Sequence, residues 1–427
     1  MGETKTEQQE SQTEDAHEWM QARDMRYSIS MTEAYPPKRP FMGLAVLMSM
    51  ACAGVPLTDT AKSLMTRIAQ DPADAEALLD LSIISHLWFK HELGLASQAQ
   101  ALKIKRHFHL PARHEPALRL LALMHPGDLA ANAPLEFLVQ DSDVALDLLF
   151  LDPDAPFPDV LPEHDLIIVG IAESTAAAGL LAKIAKALPD TPIINRPECI
   201  ARLARDSVSA MLRGLPGVDI PPAMPVSRAG LGQGVPFTYP IIVRPLDSHA
   251  GQGLEKIDDD AGLHAYLAQH GEATFYVSPF IDYRNVDGLY RKYRIVIIDG
   301  HAYAGHMALS GHWMIHYLNA HMSDSEAKRA EEAAFMATFD DDFGKRHAMA
   351  LQAIMQAAQL DYLVIDCAES PSGKLLVFEI DSAAVIHGMD PVDTFPYKQA
   401  QVQKVFAAFR AMLQSRMEKA RAMGEKH

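Results

Sequence analysis

The chain has 427 residues, of which 48% are apolar, and it carries a formal net charge of −17. This length suits two or three domains of ordinary size. The acidity excludes a general affinity for DNA, RNA or anionic lipid, since those partners bind clustered Lys and Arg. The apolar runs are shorter than the roughly 20 residues of a membrane-spanning helix, so we expect a cytoplasmic protein with no nucleic-acid or membrane partner.

The three cysteines, Cys52, Cys199 and Cys367, are far apart in the sequence and lack a CxxC spacing. This pattern is not that of a disulfide framework or a structural zinc site, and it fits a reducing compartment. We therefore interpret them as buried bystanders.

The first part of the chain contains a polar tail followed by helical segments. Residues 1–36 are rich in Glu, Gln, Thr and Ser and predict a disordered tail. Residues 37–115 predict a helical region, in which the segment at 58–60 caps a helix that runs to about Gln70. Asp71-Pro72 then begins another helix. Because the stretch from Asp71 resembles a helical-repeat unit, a helical scaffold is one alternative for the whole protein.

Residues 116–195 combine short apolar runs with helical patterns. Short buried strands that alternate with helices indicate a small parallel α/β layer. The strand-like runs lie at 118–124, 144–151, 165–171 and 192–195, and the helical patterns at 134–139 and 180–188.

The remaining residues predict a third region that begins near 196 with a helix at 199–212. The predicted strands are 239–245, 274–281, 293–298 and 301–310, followed by helices at 324–338 and 344–359, a hairpin at 361–381 and a terminal helix at 398–420.

The strand at 239–245 carries a cation, Arg244, and a turn with glycines follows at 246–253. Gly251 and Gly253 let the backbone approach an anion closely and direct several N–H groups at it. The spacing is neither that of a Walker A motif nor the Gly-x-Gly-x-x-Gly of a dinucleotide fold. We interpret the segment as a phosphate-binding loop, with an ordinary hairpin turn as the alternative.

The predicted hairpin carries three acids in otherwise apolar strands. Direct pairing about its turn places Asp366 opposite Val377, and alternation along the strand then puts Asp366 on the same face as Glu379 and Asp381. Three carboxylates on one face repel each other unless a cation lies between them. Hard oxygen ligands suit Mg²⁺ that is bound together with phosphates. A solvated acidic face is the alternative.

Residues 196–420 resemble the ATP-grasp superfamily, because they contain in this order a strand with a cation, a glycine loop and a hairpin with Asp and Glu-x-Asp. The layer at 116–195 is similar to the pre-ATP-grasp domain of that superfamily. The resemblance implies an α/β (α+β) fold with an ATP-grasp domain at 196–427, a small parallel α/β domain at 116–195 and an N-terminal α-helical region at 37–115.

The resemblance also implies roles for individual residues. Arg294 would face the transferred phosphate, and one or two Mg²⁺ would be held by Asp366, Glu379 and Asp381. ATP would be bound by Arg244, by the loop residues Ser248, His249, Gly251, Gln252 and Gly253, by the adenine hinge Tyr276, Val277, Phe280 and Ile281, and by Asp282 near the ribose.

The sequence departs from the superfamily at two positions. The third metal ligand of many relatives is Asn, and Asp381 stands there instead, which adds negative charge. A cation usually follows an Asp in the early helix, but Asp206 is followed by Ser207. Arg205 or Arg228 would have to replace that cation.

A histidine-rich stretch follows the predicted strand at 293–298. On this topology it would lie beside the transferred phosphate, where a carboxylate substrate binds. His316 and Asn319 could orient that substrate, and His306 could share in proton transfer, since His titrates near neutrality. Packing and surface roles are the alternative for each histidine. The stretch contains His301, His306, His312, His316 and His321, with Trp313 and Tyr317.

The function that the resemblance implies is that of a carboxylate–amine ligase. ATP would phosphorylate a carboxylate, and an amine would attack the acyl phosphate, with ADP and phosphate as products. The substrates would be small-molecule or peptide carboxylates and amines, with His387 and Asp390 as further acceptor-side candidates, and the enzyme a homodimer. An ATP-grasp small-molecule kinase and a non-catalytic nucleotide-binding protein are the other hypotheses.

Overall fold

The computed structural model describes residues 41–246, 248 and 251–424 of the chain, so the tail predicted at 1–36 lies outside the described residues. The described chain opens with four helices. These are α1 (Leu44–Cys52), α2 (Leu57–Gln70), α3 (Ala75–Leu87) and α4 (His91–Ile104). α2 ends at Gln70, as predicted. α3 begins later than predicted, because the Asp74 carboxylate accepts the N–H of Ala77 at 2.9 Å and caps its first turn.

A five-stranded sheet follows these helices. Its strands are β1 (His107–Leu110), β2 (Leu118–Met124), β3 (Val144–Phe150), β4 (Leu166–Val169) and β5 (Ile193–Ile194), with helices α5 (Leu135–Val139) and α6 (Ala178–Ala187) between them. The order is β1-β3-β2-β4-β5, and all neighbours are parallel except β1, an antiparallel edge strand. β1 lies in the region predicted to be helical. A run of four residues is too short to show whether its apolar residues repeat with the period of a strand or of a helix.

Two further sheets are built from the rest of the described chain. In chain order the elements are α7 (Pro197–Ile200), α8 (Arg205–Leu212), β6 (Val218–Asp219), β7 (Met224–Ser227), α9 (Arg228–Leu231), β8 (Ile241–Pro245), β9 (Glu255–Ile257), α10 (Asp260–Gln269), β10 (Thr274–Pro279), β11 (Tyr290–Ile298), β12 (His301–Ser310), α11 (Glu326–Ala337), α12 (Phe343–Arg346), α13 (Ala348–Ala358), β13 (Tyr362–Glu369), β14 (Leu375–Asp381) and α14 (Lys398–Gly424). The smaller sheet has the order β7-β10-β8-β9, and the larger has the order β12-β11-β13-β14-β6.

Both of these sheets are antiparallel, apart from the short β6, which runs parallel to β14. The predicted α/β (α+β) fold class is confirmed, with a mainly parallel layer ahead of two antiparallel sheets. The helix predicted at 199–212 is divided into α7 and α8, because Ala204 adopts an extended backbone with a ψ of 140°.

The terminal helix α14 covers half of one face of the larger sheet. Tyr362 of β13 and Val296 of β11 pack in one buried cluster with Phe409 of the helix. A buried Val or Phe side chain contributes about 1.5–3 kcal/mol. Further along the same two strands, this face carries Arg294 and Asp366 in place of apolar residues. The apolar half therefore holds the sheet against α14, and the charged half is where polar chemistry can take place.

Two carboxyl groups, that of the buried Asp80 and that of the partly buried Glu136, hold the start of α1. Asp80 accepts the backbone N–H groups of Met42 and Gly43, each at 3.0 Å, and Glu136 accepts that of Ala45 at 2.8 Å. These oxygens satisfy N–H groups that have no partner within the helix at its N-terminus. Gly43 has a φ of +83°, and a Cβ there would lie 2.5 Å from Glu136 Oε2, so the position requires glycine.

The helices in the described part of the chain include none that is long and apolar enough to cross a bilayer. The three cysteines are free thiols, of which Cys367 is buried and Cys52 and Cys199 are partly buried.

Folding stability should depend on pH through the two acids that hold α1. Burial raises the pKa of Asp80 from 3.8 to about 8 and that of Glu136 from 4.5 to about 7. The native state therefore binds more protons than the unfolded state between these values, so this contribution is complete at acidic pH and is lost as pH rises through the window. Glu136→Gln keeps an acceptor oxygen for Ala45 but not the charge, and should flatten the pH dependence of the thermal unfolding midpoint.

Glu92→Gln on the exposed side of α4 serves as the matched control, because it removes a carboxylate that is in solvent. It should leave the slope of unfolding midpoint against pH as it is in the unmodified protein. A Glu136→Gln slope equal to that of the control would contradict the role assigned to Glu136.

Candidate functional site

One row of polar side chains crosses four neighbouring strands of the larger sheet. His306 of β12 is paired with Arg294 of β11, Arg294 with Asp366 of β13, and Asp366 with Glu379 of β14. Directly paired residues point to the same face of a sheet. Since neighbouring strands are about 4.8 Å apart, the row is roughly 14 Å long. It brings the two residues predicted to be catalytic, Arg294 and His306, beside two of the predicted metal ligands.

Two β-bulges produce this alignment. Pairing of β11 with β12 shifts after Arg294, so that Gly305 is an extra residue on β12. A Cβ at position 305 would lie 2.9 Å from the carbonyl oxygen of Arg294, so this bulge requires glycine. Pairing of β13 with β14 shifts beside Asp366, and there Phe378 is the extra residue.

The second bulge corrects the predicted hairpin register. Asp366 lies opposite Glu379 and not opposite Val377. Near the turn the strands are offset by one residue from the predicted pairing, which by itself would direct Glu379 to the opposite face. The extra residue Phe378 increases the offset to two residues, and because side chains alternate along a strand, this returns Glu379 and Asp381 to the face of Asp366. The predicted shared face is therefore observed, but it depends on a bulge that the prediction lacked.

Asp366 is an enclosed carboxylate with two cationic partners. Arg294 donates from Nε to Oδ1 at 2.8 Å and from Nη2 to Oδ2 at 3.0 Å, and Lys292 Nζ lies 2.7 Å from Oδ2. Burial would raise the pKa of Asp366, but these two charges outweigh burial and hold the pKa well below its ordinary value. Lys292 was not predicted, because β11 begins three residues earlier than expected. Its spacing of two residues from Arg294 was the available signal.

Glu379 faces two arginines from other elements. Arg205, the first residue of α8, donates to Glu379 Oε1 at 2.7 Å. Burial would raise the pKa of Glu379, but Arg205 and Arg244 lower it below its ordinary value. Arg228, the other proposed replacement for the absent cation, donates instead to two backbone carbonyls in and after α10. Of these two arginines, Arg205 is the one that lies at the site.

The predicted phosphate loop begins beside the same carboxylate. Arg244 donates from Nε to Ser248 Oγ at 2.9 Å and from Nη2 to the Ser248 carbonyl oxygen. Burial and the neighbouring Arg205 lower the pKa of Arg244 to about 10. Arg244 therefore holds the start of the loop at Ser248 and also lowers the pKa of Glu379 in the acidic hairpin.

The later part of the loop keeps its glycines in conformations that favour glycine. Gly251 has a φ of +76° and Gly253 a φ of +63°. The Gly253 carbonyl accepts the Tyr266 hydroxyl at 2.7 Å, which fixes the end of the loop next to Gln252. His249 lies outside the described residues.

The predicted adenine hinge is only partly available to a ligand. Tyr276 and Val277 are paired on both sides, with β7 and with β8, so their backbone groups belong to the sheet. The Phe280 N–H donates to the carbonyl of Pro240 at 3.0 Å. Ser278, the next residue of β10 after Val277, is paired on one side only, and it lies two residues after the predicted start of the hinge.

Side chains near this hinge have partners within the protein. The Tyr276 hydroxyl donates to Asp206 at 3.2 Å. The Asp282 carboxylate pairs with Arg284 at 2.9 Å, whereas Ile281 is half-buried against the main core. The predicted ribose contact of Asp282 therefore requires it to leave Arg284.

Two of the five predicted histidines lie at the site. Burial, Arg294 and Lys398 hold the pKa of His306 well below its ordinary value, and burial, Lys292 and Arg294 lower the pKa of His316. A neutral His306 fits hydrogen bonding better than the predicted proton transfer. The other three, His301, His312 and His321, are exposed.

Asn319 does not present its side chain to the row, because its Oδ1 accepts the backbone N–H of His316 at 2.9 Å. Its predicted role in orienting a substrate is replaced by one in shaping the turn at His316.

A hard cation fits the acidic part of the row. Burial and the Glu379 charge raise the pKa of Asp381 to about 6, and its Oδ1 accepts the Ala383 N–H at 2.7 Å. A small cavity is lined by Arg294, Val364, Asp366, Glu379, Asp381 and Ala384. The described residues hold no preformed group of three His, Cys, Asp or Glu ligands. Mg²⁺ does not require one, since it usually combines one or two carboxylates with water and phosphate oxygens.

A second buried polar group, of which the sequence marked only Tyr317 and Asp390, lies next to His306. We call it the Glu332 cluster, and it consists of Tyr317, Glu332, Asp390, Tyr397 and Lys398. The rings of His306 and Tyr317 lie 4.7 Å apart and connect it to the row. Glu332 and Lys398 belong to helices that contain both polar and apolar residues, so no local pattern marked them.

Comparison with known proteins gives similarities of fold. The VanG D-Ala:D-Ser ligase from Enterococcus faecalis is 12% identical (TM-score 0.43, 69% of this chain and 99% of that chain). The D-alanine-D-alanine ligase from Coxiella burnetii is 11% identical (TM-score 0.45, 72% and 97%), and the RimK domain protein ATP-grasp from Sphaerobacter thermophilus is 16% identical (TM-score 0.40, 68% and 98%). No family model and no curated protein matches the chain. At these TM-scores the similarities carry no weight for function, which has to be judged from the site.

The two candidate arginines can be separated by their effect on nucleotide binding. Arg205→Met should weaken the binding of a non-hydrolysable ATP analogue by roughly tenfold or more, because a charge-assisted hydrogen bond contributes about 1.5–3 kcal/mol. Arg228→Met should bind the analogue as the unmodified protein does. Isothermal titration calorimetry measures both, and a larger loss for Arg228→Met than for Arg205→Met would contradict the assignment.

Proposed function

We propose that this chain is an ATP-dependent carboxylate–amine ligase, which forms an amide or peptide bond through an acyl phosphate and releases ADP and phosphate. The observation that carries the proposal is the convergence of four cations on two carboxylates, the buried Asp366 and the partly buried Glu379. Lys292 and Arg294 contact Asp366, whereas Arg205 contacts Glu379 and Arg244 lies near enough to lower its pKa.

The cost of this arrangement supports a role in binding anions. Buried ion pairs contribute little net stability, because desolvation offsets most of the attraction. Among the described side chains of this group, the four cations outnumber the acids that are fully ionised. Such an excess of positive charge is unusual in a chain with a net charge of −17. A nucleotide triphosphate would supply the negative charge that these cations lack.

The roles of the residues follow from their positions. Arg205 and Arg244 would bind the triphosphate next to the loop at Ser248 to Gly253. Arg294 and Lys292 would exchange part of their contact with Asp366 for contact with the transferred phosphoryl group. Asp366, Glu379 and Asp381 would hold Mg²⁺, which neutralises phosphate charge as a Lewis acid when it is bound.

The reaction would take place in two steps. A carboxylate oxygen of the first substrate forms a bond to the γ-phosphorus of ATP, and the bond from that phosphorus to the bridging oxygen of ADP breaks. The amine of the second substrate then attacks the acyl carbon, phosphate leaves with its bonding electron pair, and the nitrogen gives up a proton. The neutral His306 ring beside Arg294 would orient the carboxylate by hydrogen bonding.

ADP release separates this proposal from the other hypotheses. The ligase requires both a carboxylate and an amine for continuous ADP release and yields an amide product. ADP release with a phosphorylated product in the absence of any amine would indicate the kinase. ATP binding without ADP release from any combination would indicate a nucleotide-binding protein, and the absence of ATP binding would leave the helical scaffold.

Glu379→Gln should reduce turnover by at least about a hundredfold, because the charge-assisted contacts that it supports are worth several kcal/mol in the transition state. The Glu379 side chain is 35% exposed to solvent, so the fold should persist, as circular dichroism would show. Glu418→Gln, an exposed change on α14, is the control and should leave turnover intact. Near-normal activity of Glu379→Gln would rule out the metal assignment.

A further inference from the structure

Lys398, the first residue of α14, is a buried cation that the ATP reaction described above does not use. Its side chain is 5% exposed, and its Nζ lies 3.1 Å from Asp390 Oδ1 and 3.6 Å from Glu332 Oε1. The same atom lies 4.0 Å from the centre of the Tyr317 ring and 4.4 Å from that of the Phe395 ring. Burial of an ammonium group costs several kcal/mol unless it is paired, so its two carboxylate partners decide what Lys398 can do.

Glu332 is the fixed partner. It is fully buried and accepts the Met307 N–H at 3.2 Å, the Tyr317 hydroxyl at 3.0 Å and the Tyr397 hydroxyl at 2.6 Å. Three donors occupy most of the acceptor capacity of a carboxylate. Glu332 therefore stays in place and keeps negative charge beneath Lys398.

Asp390 is the exchangeable partner. It belongs to the irregular segment between β14 and α14, and its side chain is 18% exposed. Its Oδ2 lies 3.9 Å from His387 Nδ1, which is beyond hydrogen-bond distance, and that nitrogen already accepts the Met389 N–H. The contact with Lys398 is thus its main interaction, and a small rotation of Asp390 would uncover the cation.

Lys398 lies close to the proposed reaction. It contacts the ring of Tyr317, Tyr317 contacts the ring of His306, and His306 is paired with Arg294. Arg294 and Lys398 both influence His306 electrostatically. The rings of Tyr317 and His306 therefore lie between the two cations, which places Lys398 on the far side of His306 from Arg294.

We propose that Lys398 binds the carboxylate of the amine substrate, which is therefore an amino acid, and that Asp390 occupies the place of that carboxylate until the substrate binds. An ammonium–carboxylate contact out of water is strong enough to select for the charged group. The inference rests on the proposed ligase function and adds the chemical class of its second substrate.

The two partners of this ion pair should respond to mutation in opposite directions. Lys398→Met removes the cation that the substrate needs and retains most of the side-chain volume over the two rings. Asp390→Asn removes the anion that competes with the substrate. A purely structural ion pair would lose function on either change, so the sign of the Asp390→Asn effect separates the two roles.

The test measures ATP-dependent ADP release with a mixture of N-acetylated amino acids as the carboxylate substrate. The amine substrate is either a free amino acid from a panel or the matching amino-acid amide, which keeps the amine but lacks the negative charge. For the free acid, Lys398→Met should lower kcat/KM roughly tenfold to a hundredfold, and Asp390→Asn should lower KM. Neither change should affect the amide much. Lys398→Arg should restore the preference for the free acid, and Lys404→Met, exposed on the same helix, is the control.

Each remaining outcome overturns a defined part of the proposal. Three outcomes would overturn the carboxylate subsite alone. The first is that the unmodified protein uses the acid and the amide equally well. The second is that Lys398→Met lowers kcat/KM equally for both with no rescue by Lys398→Arg, and the third is that Asp390→Asn raises KM. A product in which the carboxylate of the free amino acid, and not its amine, has formed the new bond would mean that this carboxylate is the activated group, which also overturns the subsite. Absence of ADP release with every member of the panel would overturn the ligase proposal together with it.

Discussion

The two-pronged contact between Arg294 and Asp366 is the interaction on which the candidate site depends. It joins β11 to β13 at the point where one face of the larger sheet changes from apolar to charged. On the apolar side, Tyr362 and its neighbours are held against α14. On the charged side, Lys292 supplies a second cation to the same carboxylate. A carboxylate that keeps two cations close by can release one of them to an incoming phosphate without being left unpaired itself.

The alignment of the row depends on backbone irregularities as much as on side chains. Gly305 and Phe378 are each one residue more than regular pairing needs, and both lie next to the row. Without the extra residue at 378, Glu379 would point to the opposite face, away from Asp366. A bulge beside a functional group is a common way to direct a side chain. The regular strand pairing of the sheet is therefore interrupted at two points, and both lie beside the row of polar side chains.

These irregularities also explain which parts of the molecule could be predicted from the sequence. The parallel layer and the four longer strands of the larger sheet, β11 to β14, have apolar runs, and their existence was predicted, whereas the two-residue strand β6 was not. The face shared by Asp366, Glu379 and Asp381 was predicted too, but from a register that the structure corrects. The positions of β1 and α3 were missed because four residues carry no period and because a cap at Asp74 competes with the signal at Asp71-Pro72.

Residues that meet only in three dimensions lay beyond local reasoning. Arg205 was one of two candidates in the sequence, and only the contact with Glu379 distinguishes it from Arg228. Lys398 and Glu332 are 66 positions apart in the numbering and occur in helices with mixed polar and apolar residues.

The electrostatic character of Lys398 and Glu332 differs from that of the row. Together with Lys292, Arg205 and Arg244 around it, the row has more cations than acids and can attract an anion directly, whereas Lys398 is already balanced by two carboxylates. An anion can bind Lys398 only by exchange with Asp390, so this exchange limits the affinity of Lys398 for the anion. The selectivity of the subsite depends on how well the incoming group replaces the Asp390 carboxylate. A subsite of this kind admits a group that resembles Asp390 and discriminates against neutral ones.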